Sequence, residues 1–284
     1  MPNIAYPPRR PLSVGEVLDL TFQVYRATLV RCLLPAALAV IAGQLTNIYA
    51  LVKGRSLGGG GGLMGFAQAL QGLDRDPLYW GVNLLGTLLT LIFYAVVILR
   101  QYAVVMGRPP AGEFAQAARR SPSLVGLMIL VGVSIGACLL PALLLSPPGR
   151  YALLFLLLIP ASYVAVLLSC AFTVLLLTGS GPVASYVRSW RLASGSFWRL
   201  SVVYTVGVIV LLVFSGLIGG LAAFLAGILG RGDLALIAAT AGVIVVGLSA
   251  VTTPLYTAMA LAVFGDLTAR KEGVDLEQRI SAPA

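Results

Sequence analysis

Six long stretches of this chain carry no Asp, Glu, Lys or Arg: residues 32–52, 77–99, 121–149, 151–187, 200–230 and 234–265. As a helix, about 20 consecutive apolar residues cross the hydrocarbon core of a bilayer. Trimmed to their apolar cores, the stretches predict six transmembrane helices at 33–51, 78–99, 124–145, 152–177, 201–229 and 234–264. The last two exceed the required length and must tilt, kink or project. The expected fold class is all-α. An integral membrane helical bundle over 32–265 follows an N-terminal segment at 1–31 and precedes a tail at 266–284.

The connections are patterned as well. Ser13-Val14-Gly15-Glu16 has capping-box spacing and opens an amphipathic helix expected over 13–30. Val14, Leu18, Phe22, Tyr25 and Leu29 fall on one side of it; Glu16, Asp19, Gln23 and Arg26 fall on the other. Such a helix lies at the membrane surface or against the bundle. Residues 110–120 and 182–199 predict further inner-side helices, the second with Val183, Tyr186, Val187 and Trp190 on one face. Lys53–Pro77, with its run Gly58 to Gly62, reads as a flexible linker, and Arg231-Gly232-Asp233 as a short turn.

Composition narrows the class. The chain has 284 residues, 59% of them hydrophobic and 10% charged, against about 25% charged in soluble domains. That is too little charge to cover a water-facing surface. It excludes a soluble enzyme, a disordered chain and a secreted disulfide domain. The formal charge is +9. With the N-terminus inside, fourteen Lys and Arg fall on the inner side and five on the outer, so both termini are expected in the cytoplasm. The cations, nearly all Arg, read as orientation signals and contacts to anionic lipid headgroups rather than to nucleic acid. Abundant Arg, Ala, Gly and Pro match the coding bias of a GC-rich bacterium, hence a bacterial cytoplasmic (inner) membrane.

Little in the chain suggests catalysis. Histidine is absent, and Cys32, Cys138 and Cys170 are far apart. No ionisable acid or base falls inside the expected spans, which argues against a proton-coupled pump. No catalytic residue, metal or cofactor is expected. Neutral polar residues do interrupt the spans: Gln44 and Asn47; Asn83, Thr87 and Thr90; and Ser249, Thr252, Thr253, Tyr256 and Thr257 around Pro254. They form either a polar path or hydrogen bonds between helices. Thr253-Pro254 is the best local site for a kink. Gly132 with Gly136, and Gly216 with Gly220, have the spacing for close helix approach within the chain.

Three segments carry a family resemblance: Arg10–Arg26 (RPLSVGEVLDLTFQVYR), Ser185–Leu200 (SYVRSWRLASGSFWRL) and Phe264–Glu277 (FGDLTARKEGVDLE). They resemble the opening, the middle inner connection and the closing segment of membrane domains found beside glycerophosphoryl diester phosphodiesterase barrels. The resemblance implies a multi-span helical domain with these segments on its cytoplasmic face. The barrel itself, with its histidine and metal-binding carboxylates, has no counterpart here, so no catalytic residue carries over.

Two functional expectations follow. The first is a non-enzymatic multi-pass protein that organises or assists a membrane complex through its basic face. Its contacts to a membrane-protein partner, a second copy or lipid headgroups would run through Arg26, Arg31, Arg188, Trp190, Arg191, Trp198, Arg199, Arg270, Lys271 and Glu272. The alternative is a transporter or channel for a neutral, lipid-like or amphipathic solute. It would use Gln44, Asn47, Asn83, Thr87, Thr253, Pro254 and Tyr256.

Overall fold

In a computed structural model, residues 6–8, 10–52, 77–109, 111–143, 145–146, 149–229 and 234–281 are described. The glycine-run linker and the Arg231-Gly232-Asp233 turn lie outside the described residues. Among those residues all regular structure is helical: α1 (Val14–Val52), α2 (Pro77–Val105), α3 (Glu113–Leu143), α4 (Gly149–Leu167), α5 (Ala171–Thr178), α6 (Pro182–Ala193), α7 (Phe197–Leu229) and α8 (Leu234–Ser281). Six helical stretches are long and apolar enough to cross a membrane, with α4 and α5 together making one of them.

The start of α1 follows its sequence signal. The Ser13 N–H donates to Glu16 Oε2 at 2.7 Å and the Glu16 N–H donates to Ser13 Oγ at 3.3 Å, a reciprocal capping box. Of the two places expected for this segment, surface or bundle, it takes the bundle, and it joins the first span in a single helix. It runs unbroken for 39 residues, with Pro35 inside it. Its early half packs against the bundle through Val17, Leu20, Thr21, Val24 and Thr28, while Phe22 is exposed. The buried stripe is therefore not the one drawn through Leu18, Phe22 and Leu29. Hydrophobic periodicity marks positions that avoid water, and in a bilayer both the core and the lipid satisfy that demand.

The other inner helices differ in similar ways. The one expected within 110–120 is the first part of α3, which continues through Pro122 to Leu143. The one expected over 182–199 breaks in two. α6 ends at Ala193, Gly195 takes a left-handed backbone (φ 80°), and Trp198 and Arg199 belong to the first turn of α7. The face of α6 turned inward is Ser185, Ser189, Leu192 and Ala193, whereas Val183 and Val187 are exposed. Leu168–Cys170 interrupts the fourth span between α4 and α5, and Ser189 Oγ donates to the Leu167 carbonyl there at 2.8 Å. Ser189 of α6 thus serves backbone freed at that break, while Ser185 bonds the Gly181 carbonyl at the start of its own helix.

Buried apolar side chains concentrate at one end of the bundle. There the early part of α1, the α4–α5 junction, α6, the start of α7 and residues 258–267 of α8 share one cluster. A second cluster joins α2, α3 and α5. Beyond them α7 exposes Leu212, Val213, Phe214, Leu217, Leu221 and Phe224. Gly86 marks the tightest approach of α1 and α2: a Cβ there would lie 2.8 Å from the Ala42 carbonyl oxygen. Among the described residues, nothing lies where a Cβ on Gly132, Gly136, Gly216 or Gly220 would reach, so these pairs bring no described helices together. Their spacing alone lacked the partner surface that close packing requires.

Candidate functional site

The three segments quoted for their family resemblance meet at the densely packed end, around one carboxylate. Asp266 is buried, its side chain 2% exposed. Its Oδ1 accepts from the Leu12 N–H at 2.8 Å, its Oδ2 from Arg199 at 2.5 Å, and Arg270 Nε lies 3.2 Å from the same Oδ2. Both arginines also donate to the Leu12 carbonyl, at 2.6 and 2.5 Å. One acid therefore fixes the strap before α1, the first turn of α7 and the end of α8's buried run. The guanidinium fork suits this double task, serving a carboxylate and a carbonyl at once. The strap is held further by Tyr6, whose hydroxyl donates to the Leu261 carbonyl at 3.2 Å and whose ring meets Tyr102 edge-on. Gly265 is the seat beneath it; a Cβ there would lie 2.8 Å from the Tyr6 ring.

The cations repeatedly serve backbone as well as charge. Arg100 donates to the Arg31 carbonyl at 2.9 Å and pairs with Glu113 at 3.2 Å. Arg120 donates to the Leu176 carbonyl and closes the C-terminus of α5, where Gly179 adopts a left-handed conformation (φ 69°). Lys271 Nζ donates to the Ser194 carbonyl at 3.0 Å, and Arg188 pairs with Glu272 at 2.5 Å. So of the expected contact residues, Arg188, Arg199, Arg270, Lys271 and Glu272 are engaged inside the chain. Trp190 is half-buried, stacked on Tyr186. Arg26, Arg31 and Arg191 are exposed, and Trp198 is 81% exposed.

The neutral polar residues divide between packing and a cleft. Asn83 Nδ2 donates to Thr46 Oγ1 at 3.4 Å and so joins α2 to α1; Asn47 donates to Gln44 Oε1 at 2.6 Å. Thr87 is half-buried on α2. Gln44, Thr253 and Tyr256 instead line an open cleft of about 510 Å³ between α1, α2, α7 and α8, together with Thr90, Tyr94, Ser215, Ser249 and Thr252. Among the described residues no Asp, Glu, Lys or Arg lines it. Pro254 is buried just behind, its carbonyl accepting from Gln101 Nε2 at 2.7 Å and from Thr257 Oγ1 at 3.1 Å. The helix continues through this proline, with Thr252 and Thr253 hydroxyls both donating to the Ser249 carbonyl.

Sequence reasoning missed Asp266, Gln101, Tyr94 and Ser215. Asp266 and Gln101 sit just beyond the charge-free runs that defined the spans, where a polar residue reads as the start of water. Gln101 is fully buried and bridges α2 to α8. Tyr94 and Ser215 were lone polar groups in apolar surroundings and carried no pattern. Comparison with family models, with curated proteins and with solved structures finds no match.

Proposed function

We propose that this chain is a non-enzymatic multi-pass membrane protein that holds a neutral or amphipathic solute in the cleft between α1, α2, α7 and α8. The observation that carries this reading is the wall itself: neutral hydroxyl, phenol and amide side chains set among Ala39, Val40 and Leu211 around about 510 Å³, with no ionised group among the described residues. Thr90, Thr252 and Thr253 already donate their hydroxyls to backbone carbonyls, but the Ser215 and Ser249 hydroxyls have no such partner among the described residues, and leaving them unmet in hydrocarbon is costly. The wall offers neither a nucleophile paired with a base nor a metal-ligand cluster among the described residues. It can therefore select a ligand by hydrogen bonding and shape but has no group suited to break a bond.

In this reading the protein sits in a bacterial cytoplasmic membrane with both ends in the cytoplasm. It is a relative of the membrane domains found beside glycerophosphoryl diester phosphodiesterase barrels. The convergence of Leu12, Arg199 and Asp266 from the three resembling segments supports that kinship, because a shared motif is understandable where a shared contact demands it. Purification in native membrane discs followed by mass spectrometry of the extract tests the solute reading. A defined small molecule near one per chain is expected, with at least tenfold less in Ser249→Trp. Recovery of only bulk lipid, in the proportions of the surrounding membrane, overturns it.

A second reading keeps the basic face as a contact surface. It is favoured by the exposed Arg26, Arg31, Arg191 and Trp198, which remain outside the internal network. Anionic headgroups are the partner whose chemistry they fit.

A further inference from the structure

Beside the cleft lies a second hollow of a different character. It measures about 110 Å³ and is walled by apolar side chains of α1, α7 and α8, among them Phe22, Val206, Val210 and Met259. Its few polar members add little. The Thr21 hydroxyl is already committed to the Val17 carbonyl at 2.8 Å. Leu211 and Tyr256 line both hollows, so the two abut at a shared wall. Gly207 leaves room for Met259 on the apolar side: a Cβ there would meet the Met259 sulfur and push that flexible side chain aside.

We infer that the two hollows form one binding site for a single-chain amphipath with an uncharged, hydroxyl- or amide-bearing head. The head occupies the polar cleft and the chain enters the apolar hollow past Tyr256. This rests on the solute reading above and adds the ligand's class and orientation. The chemistry of the walls excludes the simpler occupants. A charged head would enter a cleft with no counter-ion among the described residues, which a low-dielectric surrounding penalises. A plain hydrocarbon would leave the Ser215 and Ser249 hydroxyls facing nothing they can bond, since neither has a hydrogen bond among the described residues. Water or a small polar solute would satisfy the cleft but not the apolar hollow, since apolar cavities stay dry. Only a molecule with both characters, in that order along its length, matches both walls.

Equilibrium binding to the full chain in phosphatidylcholine nanodiscs tests the inference with three probes: 1-monododecanoylglycerol, dodecyl phosphate and glycerol. The monoacylglycerol is expected to bind at least tenfold more tightly than either of the others. Val206→Phe, which fills the apolar hollow, should weaken it at least tenfold, and Ser215→Ala with Ser249→Ala should weaken it about fivefold. Glycerol binding as tightly as the monoacylglycerol, with Val206→Phe silent, overturns the chain-binding hollow and leaves the solute reading standing. Dodecyl phosphate binding as tightly as the monoacylglycerol overturns the uncharged head. If none of the three binds, this inference fails; whether the broader reading fails with it is decided by the co-purified extract. The probe comparison on the unaltered chain keeps the test decisive if a variant misfolds, which size-exclusion chromatography reveals.

Discussion

Taking the carboxylate from Asp266 would leave the Arg199 and Arg270 guanidiniums beside each other with the Leu12 carbonyl as their shared acceptor. Breaking a buried ion pair by removing one partner costs about 3–5 kcal/mol, because the remaining charge is stranded. Arg270 is about a third exposed and Arg199 about a fifth, which screens part of this. Asp266→Ala is therefore expected to destabilise the chain by about 2–4 kcal/mol, read as a fall in the detergent-solubilised thermal midpoint. Arg199→Lys should lose a smaller part, since an ammonium keeps the charge but not the fork that spans carboxylate and carbonyl. A midpoint unchanged by Asp266→Ala would show that the triad is dispensable. At this scale the arginines also correct the simplest reading of charge. Counting them along the sequence gives an orientation, but it says nothing about Arg120 closing α5 or Arg100 holding the Arg31 carbonyl. Those roles depend on where helices stop, and a count cannot contain that.

Among elements, the strap ahead of α1 carries a titratable anchor. Burial pushes the Tyr6 phenol well above its ordinary range, with the nearby Tyr102 and Cys170 adding to it. A phenol raised in the docked state keeps a proton that the undocked strap gives up above about pH 10. The undocked state then binds fewer protons, so docking weakens as pH rises beyond that value and is unaffected below it. Subtilisin should cut ahead of Val14 several times faster at pH 10.5 than at pH 8, relative to a cut elsewhere in the chain. Tyr6→Phe should abolish that ratio's pH dependence while losing one hydrogen bond, about 1 kcal/mol. A ratio equal at both pH values for the native chain would overturn the anchor. The six apolar helices themselves were legible in the sequence, because runs free of charge over twenty residues have few other meanings. Which side of each helix turns inward was not. Phe22 and Val17 look alike to hydropathy, yet one faces outward and the other is buried. The cleft was half legible: Gln44, Thr253 and Tyr256 stood out as polar interruptions, but only the crossing of α1, α2, α7 and α8 brings them to Ser215 and Tyr94.

At the scale of the whole molecule, the packing is uneven. Apolar burial is dense where the strap, α6 and residues 258–267 meet, and among the described residues it is sparse along the far half of α7, where Leu212, Phe214, Leu217, Leu221, Phe224 and Leu225 are exposed. In water such a surface would aggregate; in lipid it costs nothing, since acyl chains are as apolar as Leu. The dense end also gathers the exposed cations of the second functional reading. Each basic residue near an anionic surface contributes about 1 kcal/mol. Replacing Arg26, Arg31 and Arg191 with Gln should lower the association of spin-labelled phosphatidylglycerol at the protein boundary by about threefold or more, with phosphatidylcholine unaffected. Equal loss for both lipids, or none, would remove headgroup charge as the partner.

Leu12 and Asp266 stand 254 residues apart, and this separation has a consequence for biogenesis. At roughly 5–20 residues per second, about 10–50 s pass between translation of the first and of the second. The leading arm cannot lock until the closing helix has left the ribosome. A product interrupted between residues 199 and 266 therefore carries an Arg199 guanidinium without its carboxylate, where the finished protein has a closed pair.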